Sequence, residues 1–282
     1  MTIRQVPTDS ITQLVEKLCI EANCHLTDDI YNCLKTCRST EQSPLGKNIL
    51  NTLVENARIA RDEMAPICQD TGMTVVFLTL GQDVHITGGS LEDAINEGIR
   101  RGYEKGYLRK SVVRDPLDRV NTKDNTPGII HYDIVPGDQL HIVVAPKGFG
   151  SENMSGLKML KPSQGLQGVK DFVIQTVREA GANPCPPIIV GIGIGGTMEK
   201  SAYLSKKALL RPVGEKNSEP MLADLEAELL QSINNLNIGP AGFGGTTTAL
   251  SVNILTYATH IAGLPVAVNI GCHATRHAEG YI

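Results

Sequence analysis

The chain has 282 residues and a formal net charge of -4, with 41% hydrophobic and 20% charged residues. This composition is typical of a folded globular protein, and the charge balance gives no electrostatic basis for a nucleic-acid or membrane partner. No run approaches the roughly 20 apolar residues of a membrane span. The opening residues MTIRQVPTDS also lack the apolar core of a secretion signal and the Arg- and Ser-rich character of a transit peptide. We therefore expect a cytoplasmic protein.

The first sixty residues are predicted to be helical. Apolar residues recur there with the helical period, and capping or opening residues stand at Ser10, Thr27 and Ser43, the last followed by a proline suited to a first helical turn. We expect residues 1–60 to form a helical region, either a subdomain or the outer layer of one domain that continues through residues 61–282.

After Asp70 the pattern changes to strands that alternate with helices. Strands are predicted at 73–80, 129–135, 139–145, 187–192 and 265–270, and helices near 90–104, 164–180, 197–210 and 219–235. This alternation predicts an α/β (mixed α+β) fold. Residues 109–128 are polar and weakly periodic, and a loop of that length is either functional or a solvated surface segment.

The seven cysteines form two groups by sequence context. With no secretion signal, a reducing compartment favours free thiols, ligands or catalysis over disulfides. The first four lie on or near apolar helix faces and read as small buried hydrophobic residues: Cys19, Cys24, Cys33 and Cys37. The others lie in turns rich in Gly or Pro: Cys68, Cys185 and Cys272. Three isolated thiols match neither a zinc ribbon nor a ferredoxin, but they leave one iron of a [4Fe–4S] cluster open for Lewis-acid chemistry.

The glycine-rich segments admit more than one interpretation. GIGIGG at 191–196 follows a predicted strand and formally matches a dinucleotide fingerprint, but the acidic residue that should end a second strand is missing. These glycines, like those of GPAGFGG at 239–245, are better explained by close backbone packing. PKGFGSENMS at 146–155 is a turn whose backbone N–H groups suit a carboxylate or phosphate. A nucleotide-binding regulator and a four-thiolate electron carrier remain alternatives.

Seven segments in this order resemble the N-terminal half of the class I fumarases and the alpha subunits of two-chain fumarases and L-tartrate dehydratases. The likeness runs from Gln42 to His277. The segments are PICQDTG, LRKSVVRDPL, NTPGIIHYDIVPGD, PKGFGSENMS, NPCPPIIVGIGIGGT, GPAGFGGTTTALSV and NIGCHATRH.

The resemblance implies a set of site residues. In that family three cysteines hold a [4Fe–4S] cluster whose fourth iron binds the substrate, which assigns the cluster to Cys68, Cys185 and Cys272. Asp70 corresponds to the active-site aspartate, which acts with a threonine from another domain, and His260 to a further active-site residue. The positions that correspond to substrate contacts are Gln69, Arg109 and the backbone of Gly150. The guanidinium of Arg109 suits a carboxylate.

The resemblance also implies a partner. Single-chain relatives continue into a second domain, whereas this sequence stops ten residues after Cys272, so we expect a separate beta subunit, an α2β2 heterotetramer and no turnover by this chain alone. SENMS and GGTTTALSV favour a fumarase that hydrates fumarate to L-malate. L-tartrate dehydratase is the main alternative, and mesaconate hydration is a further one. All three reactions have a small dicarboxylate as substrate.

Overall fold

The computed structural model describes residues 3–282, which divide between two compact units. Each unit is assembled from segments that are far apart in the sequence. Unit 1 comprises residues 3–27, 57–149 and 276–282, and unit 2 comprises Asp28–Asn56 and Gly150–Thr275. Both units include residues from before and after residue 60, the boundary expected for the helical region. The mixed α/β fold class is confirmed.

Unit 1 is a mixed sheet with two long helices against one face. Its elements are β1 (Arg4–Pro7), α1 (Thr8–Cys24), β2 (Met73–Gly81), β3 (Val84–Thr87), α4 (Leu91–Lys105), β4 (Ile129–Val135), β5 (Leu140–Lys147) and β10 (Ala278–Tyr281). The main sheet has the order β10-β5-β2-β4, with β2 parallel to β4 and antiparallel to β5. Strands β1 and β3 form a separate parallel pair.

The core of unit 1 lies between these helices and the main sheet. Apolar side chains of α1 and α4 pack on alternate residues of β2 and β5, as the two-residue period of a half-buried strand requires. Ile11, Ile95, Leu78 and Ile142 are among the most completely buried of these.

Unit 2 contains a second four-stranded sheet with helices on both faces. Its elements are α2 (Asp28–Thr40), β6 (Gly156–Leu160), α6 (Gly165–Ala180), β7 (Ile188–Gly195), α7 (Met198–Ala208), α8 (Pro220–Asn234), β8 (Ala249–Tyr257) and β9 (Leu264–Gly271). Two further helices include residues of both units: α3 (Pro44–Glu63) and α5 (Phe149–Glu152). The strand order is β6-β9-β7-β8, in which β7 runs parallel to β8 and antiparallel to β9.

The main apolar core of unit 2 lies between that sheet and the helices α6 and α8. Helix α7 packs on the opposite face, where the glycines of β7 leave room for it. A Cβ atom at Gly191 would lie 2.1 Å from the Ser205 carbonyl oxygen, and one at Gly193 would lie 2.0 Å from that of Ser201. The packing interpretation of GIGIGG is therefore confirmed for these two positions.

No helix in residues 3–282 is long and apolar enough to cross a membrane.

Candidate functional site

In unit 1 the candidate site residues lie on the turn that leads into β2. The carboxylate of Asp70 accepts two backbone hydrogen bonds, from Gly72 N–H at 3.0 Å and from Phe149 N–H at 2.9 Å. A Cβ atom at Gly148 would stand 3.2 Å from the same carboxylate. A carboxylate has four lone-pair positions, so Asp70 is held by the backbone and still has acceptor capacity. Gly148 and the N–H of Phe149 were not among the predicted site residues.

Buried side chains of unit 1 donate hydrogen bonds to the backbone of this turn. The hydroxyl of Tyr103 donates to the carbonyl oxygens of Thr71 at 2.6 Å and Gly72 at 3.1 Å. Burial, followed by the nearby Cys19, raises the pKa of Tyr103, which keeps its hydroxyl protonated as a donor. Asn125 donates to the Gly72 carbonyl at 3.1 Å. Sequence reasoning missed both side chains, although Asn125 lies in the polar segment 109–128.

A buried arginine completes the support of the turn. Arg276 is 3% exposed, and its guanidinium donates to the Asp70 carbonyl oxygen. Its place in the NIGCHATRH segment was the only signal in the sequence that could have drawn attention to it. Side chains from three separate parts of unit 1 thus hydrogen-bond to backbone carbonyls of this turn. These bonds fix the direction of the Asp70 side chain.

The predicted substrate contacts of unit 1 stand beside this turn. The Thr71 hydroxyl donates to the Arg109 carbonyl at 2.8 Å, which joins the start of segment 109–128 to the turn. Gln69 and Arg109 are exposed, and Cys68 and Asp70 are partly buried. The structure therefore brings four of the predicted residues together in this unit, two of them with side chains open to solvent.

In unit 2 the two remaining cysteines meet at one end of the sheet. Cys185 precedes β7 and Cys272 follows β9, and the antiparallel register pairs Ile189 with Gly271. The peptide N–H of His273 donates to the Cys185 carbonyl at 3.4 Å, and its ring Nδ1 lies 3.0 Å from the same oxygen. Cys185 is exposed and has a left-handed backbone (φ 56°), while Cys272 is partly buried.

A glycine-rich loop lies at the same end of this sheet. The Thr248 carbonyl accepts a hydrogen bond from Ile188 N–H at 2.9 Å, and Ala241 N–H donates to the Pro186 carbonyl at 2.8 Å. Gly150 is also at this end, since a Cβ atom there would be 3.8 Å from the Asn183 carbonyl. Gly150, a predicted substrate contact, and the two cysteines of unit 2 therefore lie at the same end of this sheet.

Glu41 anchors that loop through a buried carboxylate. It is 1% exposed and accepts backbone N–H bonds from Ser43 at 2.9 Å, Thr246 at 2.9 Å and Thr247 at 2.8 Å. Burial alone would raise the pKa of Glu41, but these donors outweigh it and hold the pKa at about 2. A Cβ atom at Gly245 would stand 2.6 Å from the carboxylate, so only glycine permits this approach.

His260 lies away from the two cysteines of its unit. It stands in the loop before β9, where its Nδ1 accepts a hydrogen bond from Ala262 N–H at 3.2 Å, whereas Cys272 follows β9. The eight-residue strand separates these two ends by about 26 Å. The structure of unit 2 therefore places His260 and Cys272 at opposite ends of β9.

The four helical cysteines only partly match the expectation of buried packing. Cys19 and Cys24 are buried, and burial followed by the Glu16 carboxylate raises the pKa of Cys19, which disfavours its thiolate. Cys33 and Cys37 are only partly buried, with their sulfurs 4.0 Å apart on α2. The helical pattern correctly indicated one face for this pair but overstated how deeply that face is covered.

The three turn cysteines supply free thiols, the side chains that hold iron–sulfur clusters in proteins. Within residues 3–282 no three His, Cys, Asp or Glu side chains are placed to hold one ion. A [4Fe–4S] cluster takes one thiolate at each of several separate irons, so its ligands are spread more widely than those of one ion. Cys185 and Cys272 converge through strand pairing, and neither they nor Cys68 lie in a helix interior.

Comparison with known proteins gives the family. The family described as fumarate hydratase (fumerase) matches residues 12–281. The chain is 44% identical over 274 residues to the "Putative L(+)-tartrate dehydratase subunit alpha" of Methanocaldococcus jannaschii, covering 95% of this chain and 96% of that protein. It is 35% and 34% identical over 277 residues to the L(+)-tartrate dehydratase alpha subunits of Escherichia coli strains UTI89 and K12, covering 97% of this chain and 91% of each relative.

These matches define the class as a hydro-lyase. The chain belongs to the fumarate hydratase family, and it spans nearly the whole length of relatives that are named as alpha subunits.

Proposed function

We propose that this chain is the alpha subunit of a two-subunit hydro-lyase that dehydrates L(+)-tartrate. The observation that carries this proposal is the near full-length identity of 34–44% to proteins named as L(+)-tartrate dehydratase alpha subunits. The alternative substrate is therefore favoured over fumarate, which the sequence segments alone had put first. We also propose a cytoplasmic location, because all seven cysteines are free thiols, as is usual in a reducing compartment.

Fumarate hydration to L-malate is the second candidate. The family description names this reaction, and the SENMS and GGTTTALSV segments favour it. Both reactions join or remove water beside a carboxylate, so the same set of residues serves either substrate. Discrimination between them depends on contacts to the second hydroxyl of tartrate.

Two side chains of unit 1 would bind and orient the substrate. Arg109 presents a planar fork of donors that matches a carboxylate, and it lies in the open beside the turn. The amide of Gln69 can bond a hydroxyl or a carboxylate oxygen. We propose that Asp70 removes the proton from the substrate carbon, together with a threonine supplied by the partner subunit. The two N–H bonds to its carboxylate would hold it in the required direction.

We propose that Cys68, Cys185 and Cys272 hold a [4Fe–4S] cluster. When bound, the cluster supplies a Lewis-acidic iron that polarises the substrate hydroxyl. The backbone of Gly150 would contribute a donor to the substrate from the Cys185 end of unit 2. His260 lies at the other end of that sheet, and we propose that it contacts substrate in the active site of another copy of the chain.

The test uses this chain coexpressed anaerobically with its beta subunit and purified as a complex. We expect the complex to dehydrate L-tartrate with a kcat/KM at least about 10-fold above that for fumarate hydration, and we expect the chain alone to be inactive. An α2β2 mass is expected for the complex. A higher kcat/KM for fumarate would transfer the assignment to fumarase, and full turnover by the chain alone would contradict the two-subunit proposal.

A further inference from the structure

The carboxylate of Glu152, the last residue of the short helix α5, is bonded to two other elements of unit 2. Its Oε1 accepts a hydrogen bond from Lys206 Nζ on α7 at 2.6 Å. Its Oε2 accepts one from the side-chain amide of Asn269 on β9 at 3.0 Å. Neither the predicted site residues nor the reaction proposed above includes this carboxylate. It therefore needs an explanation of its own.

The ion pair between Glu152 and Lys206 is shielded from solvent. The side chains of Lys206 and Glu152 are 19% and 27% exposed, and Asn269 is 5% exposed. In the Lys170–Glu228 pair of the same unit, by contrast, the side chain of Glu228 is 54% exposed. Exposed ion pairs contribute little, whereas separating a shielded pair leaves a poorly solvated charge. Glu152 therefore restrains α5 more firmly than a surface ion pair could.

Helix α5 depends on such contacts because it is a single turn, Phe149–Glu152. The first turn of a helix is costly to form, so one turn alone has little stability. The N–H of Ser155 donates to the Glu152 carbonyl at 3.1 Å, and the hydroxyl of Ser155 accepts from Ile270 N–H at 3.1 Å. The turn is thus tied to β9 twice, through the Glu152 side chain and through Ser155.

These ties connect the proposed substrate contact to the proposed cluster ligand of the same unit. Gly150 lies two residues before Glu152, and Asn269 lies three residues before Cys272. The hydrogen bond between Glu152 and Asn269 therefore sets where the Gly150 backbone stands relative to the end of β9. Movement of α5 would displace Gly150 from that end of the sheet.

We infer that Glu152 is a positioning residue for substrate binding. Through Lys206 and Asn269 it holds the backbone of Gly150 at the end of the sheet where Cys272 lies, and it acts through α5 without touching the substrate. A donor that is free to move binds less well, because part of the binding energy is used to order it. The inference rests on the substrate contact proposed above for Gly150, and it adds the side chains that fix that contact.

Amide hydrogen exchange of the alpha–beta complex tests the anchoring without any turnover. Glu152→Gln keeps the size of the side chain but turns an NH2 group toward one of its two donors. We expect the amides of Met154 and Ser155, which bond back to the turn, to exchange at least about 10-fold faster. Glu228→Gln is the matched control, since it removes a more exposed partner of a lysine, and it should leave these two rates unchanged. Equal rates in the native complex and the Glu152 variant would overturn the inference.

Steady-state kinetics test the effect on the substrate. With whichever of L-tartrate and fumarate the native complex prefers, Glu152→Gln should raise KM at least about 10-fold and leave kcat within about 2-fold. The iron content should stay unchanged. A fall in kcat at constant KM, or loss of iron, would limit Glu152 to a structural role and contradict the inference. A native complex inactive on both substrates would instead contradict the proposed function, and the exchange rates would still report on the anchoring.

A second variant tests whether Glu152 acts through its ion pair. Lys206→Met removes the ammonium group and should raise KM less than Glu152→Gln does, because the bond to Asn269 remains. The double variant should raise KM no further than Glu152→Gln alone, since both changes disrupt one contact. Effects on KM that multiply would show that the two side chains act independently, which would contradict the anchoring through α7.

Discussion

The two units position their candidate residues by different means. In unit 1 the Asp70 turn is held by buried side chains, Tyr103, Asn125 and Arg276, each from a different part of the chain. In unit 2 the two cysteines are brought to one sheet end by the main-chain pairing of β7 with β9. A position fixed by side chains can be loosened by one substitution, whereas a position fixed by a strand ladder resists such changes. The predictions below test this difference.

The largest effect is expected at a cysteine of unit 2. Cys272→Ser removes a proposed cluster ligand but should leave the β7–β9 pairing intact. We therefore expect the complex to stay folded, to lose its iron and to turn over at least about 100-fold more slowly. Iron and sulfide analysis after anaerobic purification measures the cluster. Cys33→Ser is the control, since Cys33 is partly buried on α2 and should leave the iron content unchanged. Full iron in the Cys272 variant would contradict the assignment.

Glu41 tests whether unit 2 also depends on side chains. Glu41→Gln removes a buried acceptor from several N–H donors and should lower the free energy of unfolding at pH 7 by about 3 kcal/mol. Because folding lowers the pKa of Glu41 to about 2, its contribution is complete above pH about 4.5 and is lost as the pH falls toward 2.

Urea unfolding at several pH values measures this contribution. The destabilisation of the Glu41 variant relative to the native chain should shrink between pH 4.5 and 2. The exposed Glu104 on α4 gives the control substitution Glu104→Gln, for which we expect no comparable loss. A pH-independent difference would show that Glu41 acts through packing alone.

A smaller effect is expected for the support of the Asp70 turn. Tyr103→Phe removes the donor to the Thr71 and Gly72 carbonyls and keeps the ring that fills the core, so it should cost about 1–2 kcal/mol of unfolding free energy. The activity of the complex should fall about 10-fold, with the change in kcat rather than KM, because the carboxylate of Asp70, the proposed base, would no longer be held in its direction. Urea unfolding and steady-state kinetics measure the two effects. An unchanged kcat would limit Tyr103 to a stabilising role.

Much of the fold could be predicted from periodicity. The predicted strands at 73–80 and 129–135 and the helix near 90–104 match β2, β4 and α4 to within one residue at each end. Strand β8 was missed, because the segment GGTTTALSV that leads into it was used as a motif of the resemblance and not as a strand. The short strands β1 and β3 are too brief to show a period.

The site was predictable only in part, for a physical reason. Turn context separated Cys68, Cys185 and Cys272 from the helical cysteines, and the predicted strands at 187–192 and 265–270 would have placed the last two together had their pairing been known. The support from Tyr103, Asn125 and Arg276 depends on contacts between residues far apart in the chain. No local pattern encodes such contacts, and the division into two interleaved units escaped prediction for the same reason.

The segment 276–282 has a consequence for folding during synthesis. It supplies β10 and Arg276 to unit 1, whose other parts lie before residue 150. Domains generally fold in the order in which they leave the ribosome. Here the segments of unit 2 emerge before the last piece of unit 1, so the N-terminal unit is completed after the unit that follows it. The Asp70 turn therefore acquires its final geometry only after Arg276 has emerged from the ribosome.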